Sequence, residues 1–227
     1  KKKKITLMAG LKITTQSNIL PVTVTEVKQT LRIDPDNFDQ DAELSMMLKS
    51  SIKVLEEYTG RSFITKTYEL ALDRIPYSQE DKLVDGFSTG PFMDRTANFI
   101  TLPKSPLVAV TSFKYYDDSD TESTFATSNY YVDNYSDTPK IVLRRSQTFP
   151  DVASLRVANA FIITFTAGYG TAPKDIPETL KQAINLYTSH LYENRELYIE
   201  QKPIPVPMTL GTLLQPFKVI RFSNRLG

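Results

Sequence analysis

Apolar and polar positions alternate with three different rhythms along the chain. The first is helical. Thr23-Val24-Thr25-Glu26 forms a capping box, in which the Thr23 hydroxyl accepts from the Glu26 amide and the Glu26 carboxylate reaches back to the Thr23 amide. Val22 and Val27 stand at the two positions of a hydrophobic staple, so a helix is predicted over Val24–Leu31. Asp34-Pro35-Asp36-Asn37 reads as a turn. A longer helix is predicted from Asp39 to Tyr58. Leu44, Met47, Leu48, Ile52 and Leu55 form its apolar stripe, with Met46 beside it and Lys49 and Lys53 facing away. Asp39 and Asp41 suit its positive end, and Gly60 offers a left-handed cap.

Beyond Ser62 the period shortens to two. Tyr68, Leu70 and Leu72 alternate with polar or small residues, as in a half-buried strand. Further strands are predicted at Asn98–Leu102, Leu107–Tyr116, Tyr130–Asp133, Lys140–Arg144 and Ala158–Thr166. In the third, Leu107, Ala109, Thr111, Phe113 and Tyr115 share one face. The stretch Ser78–Thr96 is polar and long enough to be a mobile loop. The helical rhythm returns after Ala172-Pro173, with Asp175 or Ile176 as the entry and Pro177 in the first turn. Leu180, Ala183, Ile184, Tyr187 and Leu191 form its stripe, and its end lies near Glu196. Pro203, Pro205 and Pro207 then impose an extended, stiff segment. A short helix over Met208–Gln215 and a strand over Phe217–Phe222 complete the reading.

The predicted fold class is α+β: a small antiparallel helical core, an inserted β-rich unit of about six strands, and an extended C-terminal tail. The corresponding divisions are an N-terminal arm (1–20), the first part of the helical core (21–61), the β-rich region (62–175), the last core helix (176–202) and a docking tail (203–227). The first well-specified element is the helix at Thr23.

Composition narrows the chemistry. The 227 residues hold 27 Lys+Arg against 26 Asp+Glu, so a net charge of +1 gives no general attraction for nucleic acid. The absence of Cys excludes disulfides, thiolate metal sites and cysteine nucleophiles, and a single His excludes a histidine zinc site. No cofactor or metal is expected. No apolar run reaches the roughly 18–20 residues of a membrane helix, so no membrane partner is expected. Lys1 to Lys4 do not begin a signal peptide, because Gly10 and Lys12 soon interrupt Ile5, Leu7 and Met8. They read as a solvated end or as a contact for phosphate or an acidic partner.

Individual candidates for chemistry are weak. Gly168-Tyr169-Gly170-Thr171 lacks the spacing and the Lys of a phosphate loop, and reads as a strand-to-helix turn. His190 lies off the centre of its helix stripe, without a nucleophile in sequence reach. Glu56-Glu57 point in different directions on a helix. Asp117, Asp118 and Asp120 fail the calcium-loop pattern, since Ser123 and Asn129 stand where Gly and Glu belong. Arg144-Arg145 lack an interleaved aromatic stripe, and Tyr115-Tyr116 and Tyr130-Tyr131 should each place one ring in the core. The informative anomaly is the chain end. Leu210, Leu213, Leu214, Phe217, Val219, Ile220 and Phe222 follow the proline segment, and apolar burial of each is worth roughly 1.5–3 kcal/mol. They either fold back on their own domain or dock on another subunit.

Taken in order, several pieces resemble the head–tail connector (head-completion or adaptor) proteins of tailed bacteriophages. They are Pro21 to Lys28 with Leu31-Arg32-Ile33-Asp34, Glu57-Tyr58-Thr59-Gly60-Arg61 with Ile64-Thr65, and Leu102 to Leu107 with Val110-Thr111-Ser112. Tyr131-Val132-Asp133, Thr166 to Gly170, Pro177 to Ile184 and Tyr192 to Glu196 follow. The resemblance implies a structural virion protein with no catalytic residues, made in the host cytoplasm and placed in the neck at the portal vertex. It implies a homo-oligomeric ring, typically a dodecamer, that extends the channel for double-stranded DNA without reading its sequence. The implied partners are the portal protein, a downstream neck or tail protein, and further copies of the chain. It also implies that the C-terminal segment engages the portal. A truncation of residues 203–227 is then expected to leave a folded domain that fails to load. The rival readings are another neck or tail component, such as a stopper or tail-completion protein, and a carboxylate- or metal-dependent hydrolase.

Overall fold

A computed structural model describes residues 9–73, 75, 99–150, 154–194, 198–199, 202–203 and 208–219. The predicted loop Ser78–Thr96, the lysine-rich start and most of the proline segment lie outside them. The chain divides into a β unit, built on residues 1–16, 66–167 and 220–227, and a helical unit, built on residues 17–65 and 168–219.

Among the described residues the β unit holds eight strands. They are β1 (Ala9–Gln16), β2 (Lys66–Leu72), β3 (Phe99–Thr101), β4 (Leu107–Tyr116), β5 (Glu122–Thr124), β6 (Tyr130–Asp133), β7 (Lys140–Leu143) and β8 (Phe161–Ala167). One antiparallel sheet has the order β1-β2-β8-β4-β5 and the other β3-β7-β6. The core is rich in aromatic residues. Phe113 sits among Phe125 at 5.0 Å, Tyr130 at 6.0 Å and Phe161 at 6.1 Å between ring centroids, and Tyr68 stacks on Phe165. Strict alternation in β2 and β8 buries Tyr68, Leu70, Leu72, Phe161, Ile163 and Phe165.

Several expectations are corrected here. The first described element is β1 and not the helix at Thr23, so residues 9–16 of the expected arm are part of a sheet. Strand β5 was not expected either. The single face assigned to β4 does not exist. Register shifts between Leu107 and Ala109 and between Val110 and Ser112 turn Ala109 and Thr111 outward and pack Val110 on the core. The last strand starts at Phe161 rather than Ala158, after Asn159 in a left-handed conformation.

The helical unit contains α1 (Val24–Leu31), α2 (Asp41–Thr59), α3 (Glu178–Glu193) and α4 (Met208–Leu214), with a short ribbon of β9 (Tyr198–Ile199) and β10 (Lys202–Pro203). The α1 capping box forms as predicted: the Glu26 amide donates to Thr23 Oγ1 at 3.2 Å, and the Thr23 amide donates to Glu26 Oε2 at 2.6 Å. Val22 and Val27 are fully buried beneath it. Lys28 is buried as well. Its Nζ donates to the carbonyls of Asn37 (2.7 Å) and Pro35 (3.2 Å) and pairs with Asp41. One cation thus ties the α1–α2 turn to the start of α2. Asp39 stays in that turn, its amide bonded to Asn37 Oδ1, and α2 begins at Asp41 rather than Asp39.

Helix α2 buries Leu44, Leu48, Ile52 and Leu55, exposes Lys49 and Lys53, and ends at Gly60 with φ 72°. Helix α3 packs against α1, α2 and α4 and buries Leu180, Ala183, Ile184 and Thr188. It closes at Glu193, short of Glu196, where the Asn194 amide and side chain both donate to the His190 carbonyl. The turn before α3 joins the two segments of the unit. The Thr65 amide donates to the Gly170 carbonyl at 2.9 Å, and the Tyr169 amide donates to the Phe63 carbonyl at 3.2 Å. Gly168 has φ 149°, and a Cβ there would collide with the Thr65 backbone.

Candidate docking segment

The candidate site is the chain end after β10. Helix α4 carries too few turns to be stable alone and depends on packing. Leu210 and Leu214, one helical turn apart, are buried in the helical core, and Leu213 and Phe217 pack partly against it. Pro216 ends the helix, and Gln215–Phe217 forms a 3-10 turn, so Phe217 does not begin a strand. The segment is then fastened to the end of α2. Arg61 Nε donates to the Phe217 carbonyl at 2.6 Å, and the Val219 amide donates to the Thr59 carbonyl at 2.9 Å. Gly60 leaves room for Val219, whose Cβ would lie 3.4 Å from an added Cβ. Lys218 Nζ lies 4.7 Å from the centroid of the exposed Tyr58 ring.

Of the seven candidate residues, the structure gathers Leu210, Leu213, Leu214, Phe217 and Val219 on this one segment. Ile220 and Phe222 lie outside the described residues. Leu210 and Leu214 complete the subunit's own core. The outward positions are Thr209, Thr212, Gln215 and Lys218, with the exposed Tyr58 of α2 beside Lys218. A truncation before Met208 therefore removes core side chains, and the expectation that a shortened chain stays folded gives way. Sequence reasoning missed the latch of Arg61, Gly60 and Thr59. Its signal, Thr-Gly-Arg at a helix end, is also that of an ordinary helix cap.

The other candidates resolve into structural roles. Gly170 faces Asp175, whose carboxylate accepts from the Ala172 amide at 3.0 Å, so the glycine pair is a strand-to-helix turn. His190 stacks on Tyr187 with centroids 6.5 Å apart. Glu56 is buried and accepts from the Phe63 amide at 2.8 Å. Asp117 accepts from the amides of Ser119 (2.9 Å) and Thr121 (2.8 Å), which makes it a hairpin-tip turn. Among the described residues no group of three His, Asp or Glu comes together as a metal site. Arg144 lies 3.9 Å from the centroid of the exposed Tyr131 ring, while Tyr130 is buried. In the β4–β5 hairpin Glu122 accepts from Lys114 Nζ (2.6 Å) and from the Tyr116 hydroxyl (2.6 Å). Those two bonds, Lys114 first, hold its carboxyl below the usual range.

Comparison with known proteins points the same way. Residues 21–138, just over half of the chain, match the family described as phage gp6-like head–tail connector proteins. Solved structures share the fold. A chain from the neck of an empty gene transfer agent (GTA) particle, computed with C6 symmetry, aligns with a TM-score of 0.71 and 22% identity. The alignment covers 93% of this chain and 96% of that one. A chain from the virion of a native GTA particle aligns at 0.68 with 21% identity over the same shares. One from the native GTA neck, computed with C12 symmetry, aligns at 0.65 with 22% identity, again over the same shares. No curated protein sequence matches the chain.

Proposed function

The chain belongs to the phage gp6-like head–tail connector family, as a structural protein and not an enzyme, and from that premise we propose how it works in a virion neck. Copies of the chain close into a ring at the outer end of the portal. The ring extends the channel through which double-stranded DNA passes and presents a platform for the next neck or tail protein. The near-neutral charge suits a conduit, because a strongly basic lumen would hold the passing phosphates. Many individually modest contacts, one set per subunit, act together through effective concentration.

The observation that carries the docking part is the latched segment. It holds Thr212, Gln215 and Lys218 outward on a base fixed by two buried leucines, one backbone–backbone bond and the Arg61 side-chain bond, next to the Tyr58 ring. A portal docks on this polar rim and on the edges of Leu213, Phe217 and Val219, rather than on a freed apolar tail. The test is loading of the purified full-length protein onto its portal, read by negative-stain electron microscopy. The wild type should add a ring of density at the portal's outer end. Thr212→Glu with Lys218→Glu changes only exposed positions and should abolish that density while circular dichroism stays the same. Full loading by this variant would refute the docking surface, and no loading by the wild type would refute the connector role at the portal.

A further inference from the structure

Helix α2 has no basic residue in its last turn, and its last carbonyls form the negative end of the helix dipole. The chain end supplies part of what is missing. Thr59 Oγ1 donates to the Leu55 carbonyl at 2.7 Å, and the Thr59 carbonyl accepts from the Val219 amide at 2.9 Å. Gly60 turns the chain beneath Val219 at φ 72°. Arg61 follows. Its amide donates to Thr59 Oγ1 at 3.4 Å, and its Nε donates to the Phe217 carbonyl at 2.6 Å. Thr59 and Arg61 are both buried.

The docking segment is therefore held in two different ways. Leu210 and Leu214 hold α4 through the core. Gln215, Pro216 and Lys218 are exposed, and Phe217 and Val219 are half-buried, so packing holds residues 215–219 far less. What fixes them is the end of α2: the Arg61 bond, the Val219 bond and the contact of Lys218 with the Tyr58 ring. The core sets where α4 lies, and Thr59-Gly60-Arg61 sets where Gln215 and Lys218 face.

We propose that Arg61 is a positioning residue for portal docking, which fixes the Phe217 carbonyl and with it the direction of Gln215 and Lys218. This rests on the docking reading above and names the residue that keeps that surface pre-formed. At 8% exposed, Arg61 acts through the segment and not by touching the portal. A rim already in place binds without an ordering cost, whereas one in place roughly a tenth of the time binds about tenfold more weakly.

The test uses the full-length chain and purified portal. Arg61→Ala should raise the apparent dissociation constant for the portal by about tenfold or more. The Lys218 and Val219 amides should exchange faster, while Leu214 and the α2 amides keep their protection. Arg61→Lys keeps a cationic donor and should restore most of the loading. Removing a buried arginine also challenges the helical unit itself, so Val219→Pro is the second variant. It deletes the amide that donates to Thr59 and leaves Arg61 in place. Lys218, at φ −70° and ψ 118°, already has the extended backbone that precedes a proline. This variant should weaken loading as well. Wild-type loading by Arg61→Ala would overturn the proposal. So would a loss of loading in which Leu214 loses protection too while Val219→Pro loads normally, since Arg61 would then serve only the fold. Thr212→Glu/Lys218→Glu is run beside them. If it loads fully, the docking surface falls and this inference with it. If it fails to load while Arg61→Ala loads as the wild type does, this inference alone falls.

Discussion

In the helical unit the last described helix drives Leu210 and Leu214 into the core, whereas in the β unit the first strand leaves Leu11 and Ile13 at the surface. Both segments carry apolar side chains in sequence. One of them finishes a core that residues 17–65 and 178–193 leave open, and the other extends a sheet whose core is already filled by Tyr68, Leu70, Phe161, Ile163 and Phe165. The lesson is that an apolar terminus signals a partner only when its own unit is closed without it. By that criterion α4 is part of the subunit, while Leu11 and Ile13 of β1 stay at its surface.

The sharpest way to break this comparison is Leu214→Ala. It should cost about 2–5 kcal/mol, the usual range for truncating a buried leucine. Hydrogen exchange should show faster exchange in α2 and α3 and unchanged protection in β2 and β8. Equal loss in both units would mean that they unfold as one block. Next in size is Lys28→Ala, which strips the cation from the Pro35 and Asn37 carbonyls and from Asp41. It should cost about 1–3 kcal/mol in the helical unit, seen in its denaturation midpoint. At the β edge, Leu11→Ser with Ile13→Ser should change monomer stability by less than about 1 kcal/mol, because both side chains are already half in water. A larger loss would show that β1 is integral to its own core.

The smallest effect concerns pH. The Glu122 carboxyl is held below its ordinary value by Lys114 and Tyr116, so the stability it adds is present above the unfolded-state value. That stability is lost as pH falls through the folded-state value. Protection of the β4–β5 hairpin amides, taken relative to their intrinsic exchange at each pH, should then fall in acid, and Glu122→Gln should remove this dependence. A hairpin in the variant that still loosens over the same acid range would assign the effect to another group.

Much of the fold is legible locally. The capping box at Thr23, the α2 stripe ending at Gly60, and the alternation in β2 each depend on residues a few positions apart, and they appear where the pattern places them. The candidate docking segment is legible as an apolar cluster but not as a latch. Its fastening joins Arg61 to the Phe217 carbonyl and Thr59 to Val219, across more than 150 positions of sequence separation. The faces of β4 were misread because bulges leave no periodic trace, and a shift of one residue exchanges inside for outside.

By itself the sequence determined the type and approximate place of most of the longer helices and strands, the absence of thiol chemistry, and the family, since all of these are set by residue identity and short spacing. Only the tertiary structure decided which apolar end is consumed and which is left over. Burial is a property of what lies across from a side chain, and for Leu11 and for Leu214 that neighbour comes from far along the chain.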